Sequence, residues 1–181
     1  MFFLILATII LLCSLLLTGF MALSTVGLLL GRPPYVPTPQ RIARLMVQAA
    51  KLLPHERVYD LGSGDGRLLL ASLKQADVIV TGIEGNSFLV LLGRFRLWLM
   101  GKKGTILWKN IFAHNYSDAD VVFCYLFPSV MKKLQEKFKK ELKKGTRVVS
   151  YCFPLPEWKP GKTFQTQEKK PNNFLIYLYQ A

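Results

Sequence analysis

Acidic residues are scarce in this chain of 181 residues: 11 Asp and Glu stand against 24 Lys and Arg, leaving a net charge of +13. Charged residues make up only 19%, too few for a disordered chain, which would be charge-rich and poor in apolar residues. Cysteine is rarer still. Cys13, Cys124 and Cys152 are far apart, odd in number and form no CxxC pair, which argues against a disulfide framework or a zinc site and fits a reducing compartment. The two histidines, His55 and His114, are isolated, with neither an acidic partner nor a nucleophile nearby, so no catalytic triad is supported and His114 reads as a structural loop residue. No internal repeat is visible. The length allows one domain with a real core, and no more.

Charge is absent altogether from residues 1–31. Residues 2–30 form an apolar run longer than the roughly 20 residues that span a bilayer as a helix. A signal peptide would have a basic start and a shorter apolar core, so the run predicts an uncleaved single-pass transmembrane anchor. Arg32, Arg41, Arg44 and Lys51 follow it, and by the positive-inside rule the rest of the chain is expected on the cytoplasmic side. The expected setting is a bacterial inner membrane with a cytoplasmic domain, or an organellar membrane such as the mitochondrial inner membrane. Residues 32–39, with four prolines between Gly31 and Pro39, form a stiff linker. The domain proper is expected over residues 40–181.

There the pattern alternates. Helical spacing marks 40–53, 67–75, 87–100 and 129–143, and strands are expected at 57–61, 78–83, 105–108, 120–125 and 146–150. Segments 163–167 and 174–179 form a terminal hairpin. This order predicts an α/β fold, a mostly parallel Rossmann-like sheet of seven strands with helices on both faces.

The stretch 58–67, VYDLGSGDGR, joins the first strand to a helix through Gly62, Gly64 and Gly66. Glycines let the chain turn tightly and let a ligand approach without a Cβ in the way. Glu84 ends the second strand, 22 positions beyond Gly62, where a carboxylate accepts hydrogen bonds from both hydroxyls of a ribose. The spacing is GxGxG, not the GxGxxG of a dinucleotide site. Asp60 and Asp65 are badly placed for a pyrophosphate and suit a ligand with a cationic amine, such as S-adenosylmethionine.

On these motifs the chain resembles the class I S-adenosylmethionine-dependent methyltransferases. Within them the YVPTP segment, ADVVFCYLFPSVMKKL and GTRVVSYCFPLPEW resemble the small membrane-anchored protein-lysine methyltransferases, whose eukaryotic members act on the ATP synthase c subunit and the adenine nucleotide translocase. The resemblance implies that Asp60 holds the methionine amino group, that Gly62 and Gly64 pass beneath the cofactor, and that Glu84 binds the ribose. It implies that Asn110, where the class often has Asp, contacts adenine N6, that Tyr35 and Thr38 close over the cofactor, and that Tyr125 faces the substrate. The implied substrate is a lysine of a membrane protein. The alternatives are a small lipophilic substrate, or a non-catalytic membrane-bound scaffold of the same fold, against which the intact Asp60, glycines and Glu84 argue.

Two further segments carry expectations. Residues 132–147 hold eight basic residues against Glu136 and Glu141, which makes either a solvated face or a patch for anionic lipid head groups; nucleic acid is not expected. Residues 87–100 are apolar enough for Phe95, Trp98 and Leu99 to reach lipid or a partner, but plain core packing is the expected role.

Overall fold

The computed structural model describes residues 35–102, 104–166 and 174–181, together with residues 3, 5–12, 14, 15, 18 and 19. The chain divides into two compact units, Met1–Val36 and Pro37–Ala181.

In the first unit the expected single-pass anchor has to be corrected. No helix among the described residues is long and apolar enough to cross a membrane. The described residues up to Gly19 are helical. A crossing needs about 20 residues in one continuous helix, which apolar composition by itself does not supply. The single-pass location and the orientation drawn from it are therefore not supported. The remainder of the 2–30 run, and residues 32–34 of the linker, lie outside the described residues.

The second unit begins with α1, Gln40–Ala50, preceded by Pro39 at its cap. Ile42, Ala43, Met46, Val47, Ala49 and Ala50 form its buried stripe, and it stops at Lys51, which takes a left-handed conformation. Then come β1 (Arg57–Leu61), α2 (Arg67–Gln75), β2 (Ile79–Glu84), α3 (Ser87–Leu99), β3 (Thr105–Trp108), β4 (Val121–Cys124), α4 (Pro128–Glu141), β5 (Arg147–Tyr151), β6 (Lys162–Gln165) and β7 (Leu175–Gln180). The seven strands form one sheet in the order β3-β2-β1-β4-β5-β7-β6. β1 to β5 pair in parallel, and β7 lies antiparallel between β5 and β6. The strand order reverses between β1 and β4, and ligands of such sheets bind at the carboxyl ends beside that reversal.

Each face of the sheet carries its own core. On one, Ile42 and Met46 of α1, Leu69 of α2 and Leu97 of α3 cover Val58, Val80, Ile106 and Phe123. On the other, Met131, Leu134 and Phe138 of α4 join Leu61, Ile83, Val122, Tyr116 and Tyr179. Arg147, at the foot of β5, donates to the carbonyls of Ala50 (2.6 Å) and Lys51 (2.8 Å) and pairs with Glu56, so a cation closes the end of α1 where the helix dipole favours one.

At one glycine the sheet has no room to spare. Gly82 of β2 lies opposite Asp60, and a Cβ there would stand 2.5 Å from Ser63 Oγ and 2.9 Å from Leu69 Cδ1. Gly82→Ala should destabilise the fold by about 1–3 kcal/mol, the usual cost of overpacking. Thermal unfolding checks this, with about 2–4 °C expected for each kcal/mol.

Candidate functional site

The site is built where β1 and β2 end. The backbone N–H groups of Gly62 and Ser63 both donate to the Ile83 carbonyl, at 2.8 and 3.1 Å, which folds the glycine loop back over the end of β2. Gly62, Gly64 and Gly66 have φ of +73°, +53° and +77°, a region that side-chain-bearing residues avoid, so the turn needs glycine at all three. Gly66 then caps α2.

Glu84 locks the loop to the second strand. One carboxylate oxygen accepts from Gly64 N at 2.9 Å and the other from Asn86 N at 2.8 Å. An ionised carboxylate has about four acceptor positions, so each oxygen keeps one for a ligand hydroxyl. Asn86 in turn caps α3, accepting from Phe88 N.

The two aspartates of the loop part company. Asp65 is buried and taken: Arg67 reaches it through Nε (2.9 Å) and Nη2 (2.8 Å), and Arg96 of α3 also pairs with it. It is therefore not available to a ligand amine, contrary to the joint role expected of Asp60 and Asp65. Asp60 is buried with no hydrogen-bond partner for its side chain among the described residues. Burial first, then the charges of Glu84 and Asp65, push its carboxyl up to about 8. A buried acid held in this state is suited to receive a cation.

The other expected residues are placed as follows. The Thr38 carbonyl accepts from Arg67 Nη1 at 2.7 Å, which ties the segment before α1 to the loop; Tyr35 is half-exposed and belongs to the first unit. Asn110 follows β3, and its side-chain oxygen accepts from Phe112 N at 2.9 Å, capping the short turn Ile111–Ala113. That leaves one acceptor position on the oxygen and both amide donors. His114 packs its ring 5.3 Å from Tyr59 and 5.1 Å from Tyr116, and burial lowers its pKa, in keeping with a structural role. Its Nε2 and the Ser63 hydroxyl are buried without a partner among the described residues.

Tyr125 comes directly after β4, whose last residue Cys124 pairs with Leu61 and Ser150. Its ring lies 4.8 Å from Tyr151, and Tyr151 lies 6.1 Å from Phe174, so a row of rings runs along the carboxyl ends of β4 and β5 to the amino end of β7, away from the glycine loop. Burial raises the Tyr125 pKa, and its hydroxyl has no partner among the described residues. Phe127 and Phe153 form a separate pair 6.2 Å apart, and Trp158 packs on Tyr179 at 5.9 Å within the α4 core. The sequence reading missed Arg96, Tyr151 and Phe174. The two arginines, Arg94 and Arg96, in the otherwise apolar 87–100 run were the signal for the first; the ring row depends on strand order and gave none.

The family described as the ANTKMT methyltransferase domain matches residues 60–162. A protein-lysine N-methyltransferase of Saccharolobus islandicus (strain REY15A) is 36% identical over 149 residues, 81% of this chain and 92% of that protein. The lysine N-methyltransferase of Rattus norvegicus that is named for the ATP synthase c subunit is 38% identical over 138 residues, 72% of this chain and 60% of that one. Among solved structures, an RNA methyltransferase from Salinibacter ruber in complex with S-adenosyl-L-homocysteine superposes with a TM-score of 0.74 at 31% identity, covering 80% of this chain and 93% of that one.

Proposed function

The chain belongs to the ANTKMT methyltransferase family and is an S-adenosylmethionine-dependent methyltransferase, and on that premise we propose that it methylates lysine side chains of a protein. The names of the Saccharolobus and rat relatives support the lysine, and the rat name extends it to the c subunit of the ATP synthase. Residues 40–181 form the catalytic domain, with 32–39 as its lead-in segment.

The observation that carries the site assignment is the Glu84 carboxylate, fixed by two backbone N–H groups and still open on both oxygens. It holds the ribose hydroxyls. Gly62 and Gly64 run beneath the ligand, and Asp60 receives the methionine amino group, a cation that its buried carboxyl lacks in the chain alone. Asn110 meets the adenine edge, and Thr38, held by Arg67, forms the cover. The chemistry supplied by S-adenosylmethionine is an electrophilic sulfonium methyl, which needs no further activation.

What remains for the chain is to position a neutral amine within about 3–3.5 Å, in line with the bond to be broken. A free lysine has a pKa near 10.4 and is mostly protonated at neutral pH. Desolvation along the Tyr125–Tyr151–Phe174 row lowers that value, and the proton leaves to water before attack. Tyr125 orients the amine through its hydroxyl. Tyr125→Phe should therefore cut kcat about three- to tenfold, the worth of one neutral hydrogen bond, with cofactor affinity unchanged. Steady-state kinetics beside calorimetry measure the two separately.

The name of the Salinibacter ruber neighbour and the charge of +13 favour RNA as a second reading. Incubating cell extract with methyl-labelled cofactor separates the readings. Label at lysine by mass spectrometry supports the first. Label confined to RNA, or to a lipid extract, replaces it.

A further inference from the structure

Helix α3 departs from the pattern of its neighbours, because it is apolar on both sides. Leu89, Val90 and Leu97 are buried against the sheet. Phe88, Leu91, Phe95, Trp98 and Leu99 make a stripe on the opposite side and are 54–72% exposed, against the core packing expected of this segment. Phe95 and Trp98 stack with centroids 5.8 Å apart. Trp108, 69% exposed at the end of edge strand β3, donates through Nε1 to Gly85 O just ahead of the helix. A helix of 13 residues is too short to cross a bilayer, yet contiguous exposed apolar surface of this kind marks an interaction site.

The stripe continues into a groove of about 500 Å³ between α1, α2 and the end of α3, with Leu99 and Met100 in its wall beside Leu70 and Ala71. Arg44, Arg67, Lys74 and Arg96 line it, and no acidic side chain does among the described residues. Arg67 and Arg96 are turned onto Asp65. Arg44 and Lys74 are exposed and make no ion pair among the described residues. On the lysine-rich helix α4, Lys132, Lys133 and Lys140 likewise make no ion pair among the described residues, but its large apolar residues Met131, Leu134 and Phe138 are buried, so that charge has no apolar stripe beside it. At α3 unanswered positive charge adjoins the apolar stripe.

A protein partner's anchor residues characteristically fill pockets. Here the large rings stand on the outside of a helix, flanked by cations, which is the arrangement of an interfacial helix at anionic lipid. We infer that the outer face of α3 and the Arg44–Lys74 rim dock onto an anionic lipid surface, the rings entering the acyl boundary and the cations meeting head-group phosphates. The docking needs no helix that crosses the bilayer, and it holds whichever substrate the enzyme modifies.

The full chain provides its own reporter, because its three tryptophans are Trp98, Trp108 and Trp158 and residues 1–97 contain none. A Trp108→Phe/Trp158→Phe chain, with Trp98 as sole fluorophore, is mixed with vesicles of brominated phosphatidylcholine, alone or with phosphatidylglycerol. Quenching of Trp98 is expected with phosphatidylglycerol and should be far weaker without it. A Trp98→Phe/Trp108→Phe chain should stay unquenched, since Trp158 packs on Tyr179. Arg44→Gln/Lys74→Gln should weaken partitioning about tenfold while S-adenosylhomocysteine still binds, which shows that the fold is intact. Two outcomes overturn the inference: vesicle-bound chain with Trp98 unquenched, or a dimer in solution that Trp98→Ser converts to monomer.

Discussion

Glu84→Ala should weaken S-adenosylhomocysteine binding more than tenfold. Both oxygens of this carboxylate hold a backbone N–H, from Gly64 and Asn86, and both have one acceptor position left. Alanine removes the two ribose contacts, each worth about 1.5–3 kcal/mol when the acceptor is charged. It also releases the loop from β2. Glu84→Gln should fall between wild type and alanine, because an amide has one acceptor oxygen and its NH₂ meets a donor on the other side. Calorimetry on the three proteins tests the assignment, and equal affinity in wild type and Glu84→Ala would falsify it.

The second large effect concerns pH. The Asp60 carboxyl, near 3.9 in an unfolded chain, rises to about 8 in the fold, chiefly through burial. Between those values the folded chain holds a proton that the unfolded chain does not, so Asp60 makes stability fall as pH rises from about 4 towards 8. A cationic amine favours the carboxylate. Binding below pH 8 should therefore release a proton, and affinity should climb with pH by up to about tenfold per unit. Above roughly pH 8 an α-amino group itself loses its charge, so the rise should end there. Asp60→Asn should flatten the profile, weaken binding near pH 8 and raise the stability of the ligand-free protein at that pH. Affinities from pH 6 to 9 and thermal melts check all three. A wild-type profile that stays flat would remove Asp60 from the amine site.

Much of the fold was legible because the local signals agreed with one another. Gly62, Gly64 and Gly66 required a turn, the β-branched run before Gly82 required a strand, and both are found where expected. The expected strands 57–61 and 105–108 and helix 67–75 match β1, β3 and α2. Errors elsewhere are one to three residues at element ends, as with α1, which stops at Ala50 because Lys51 turns left-handed. The place of Glu84 at the end of β2 was readable from the pattern of the run before it. The fate of Asp65 was not, because one of its partners, Arg96, lies 31 positions away and arrives only when α3 packs beside the loop. The outer stripe of α3 was misjudged for a related reason: hydrophobicity tells how apolar a helix is, not how many of its sides the fold covers. The expected anchor is not supported either: no helix among the described residues is long and apolar enough to cross a membrane, and apolar composition alone does not supply one.

Arg67 holds three pieces of the molecule at once: it opens α2, grips Asp65 inside the glycine loop and holds the Thr38 carbonyl ahead of α1. The segment ahead of α1 and the glycine loop are therefore linked through one guanidinium. On the proposed role of Thr38 as a cover, moving that segment to admit or release a ligand would pull on the loop, so entry and exit should share a single relaxation rate set by how often that guanidinium lets go of the carbonyl. Lysine, with one ammonium in place of a planar fork, cannot span both partners. A chain carrying it would exchange ligand with the segment and the loop moving independently.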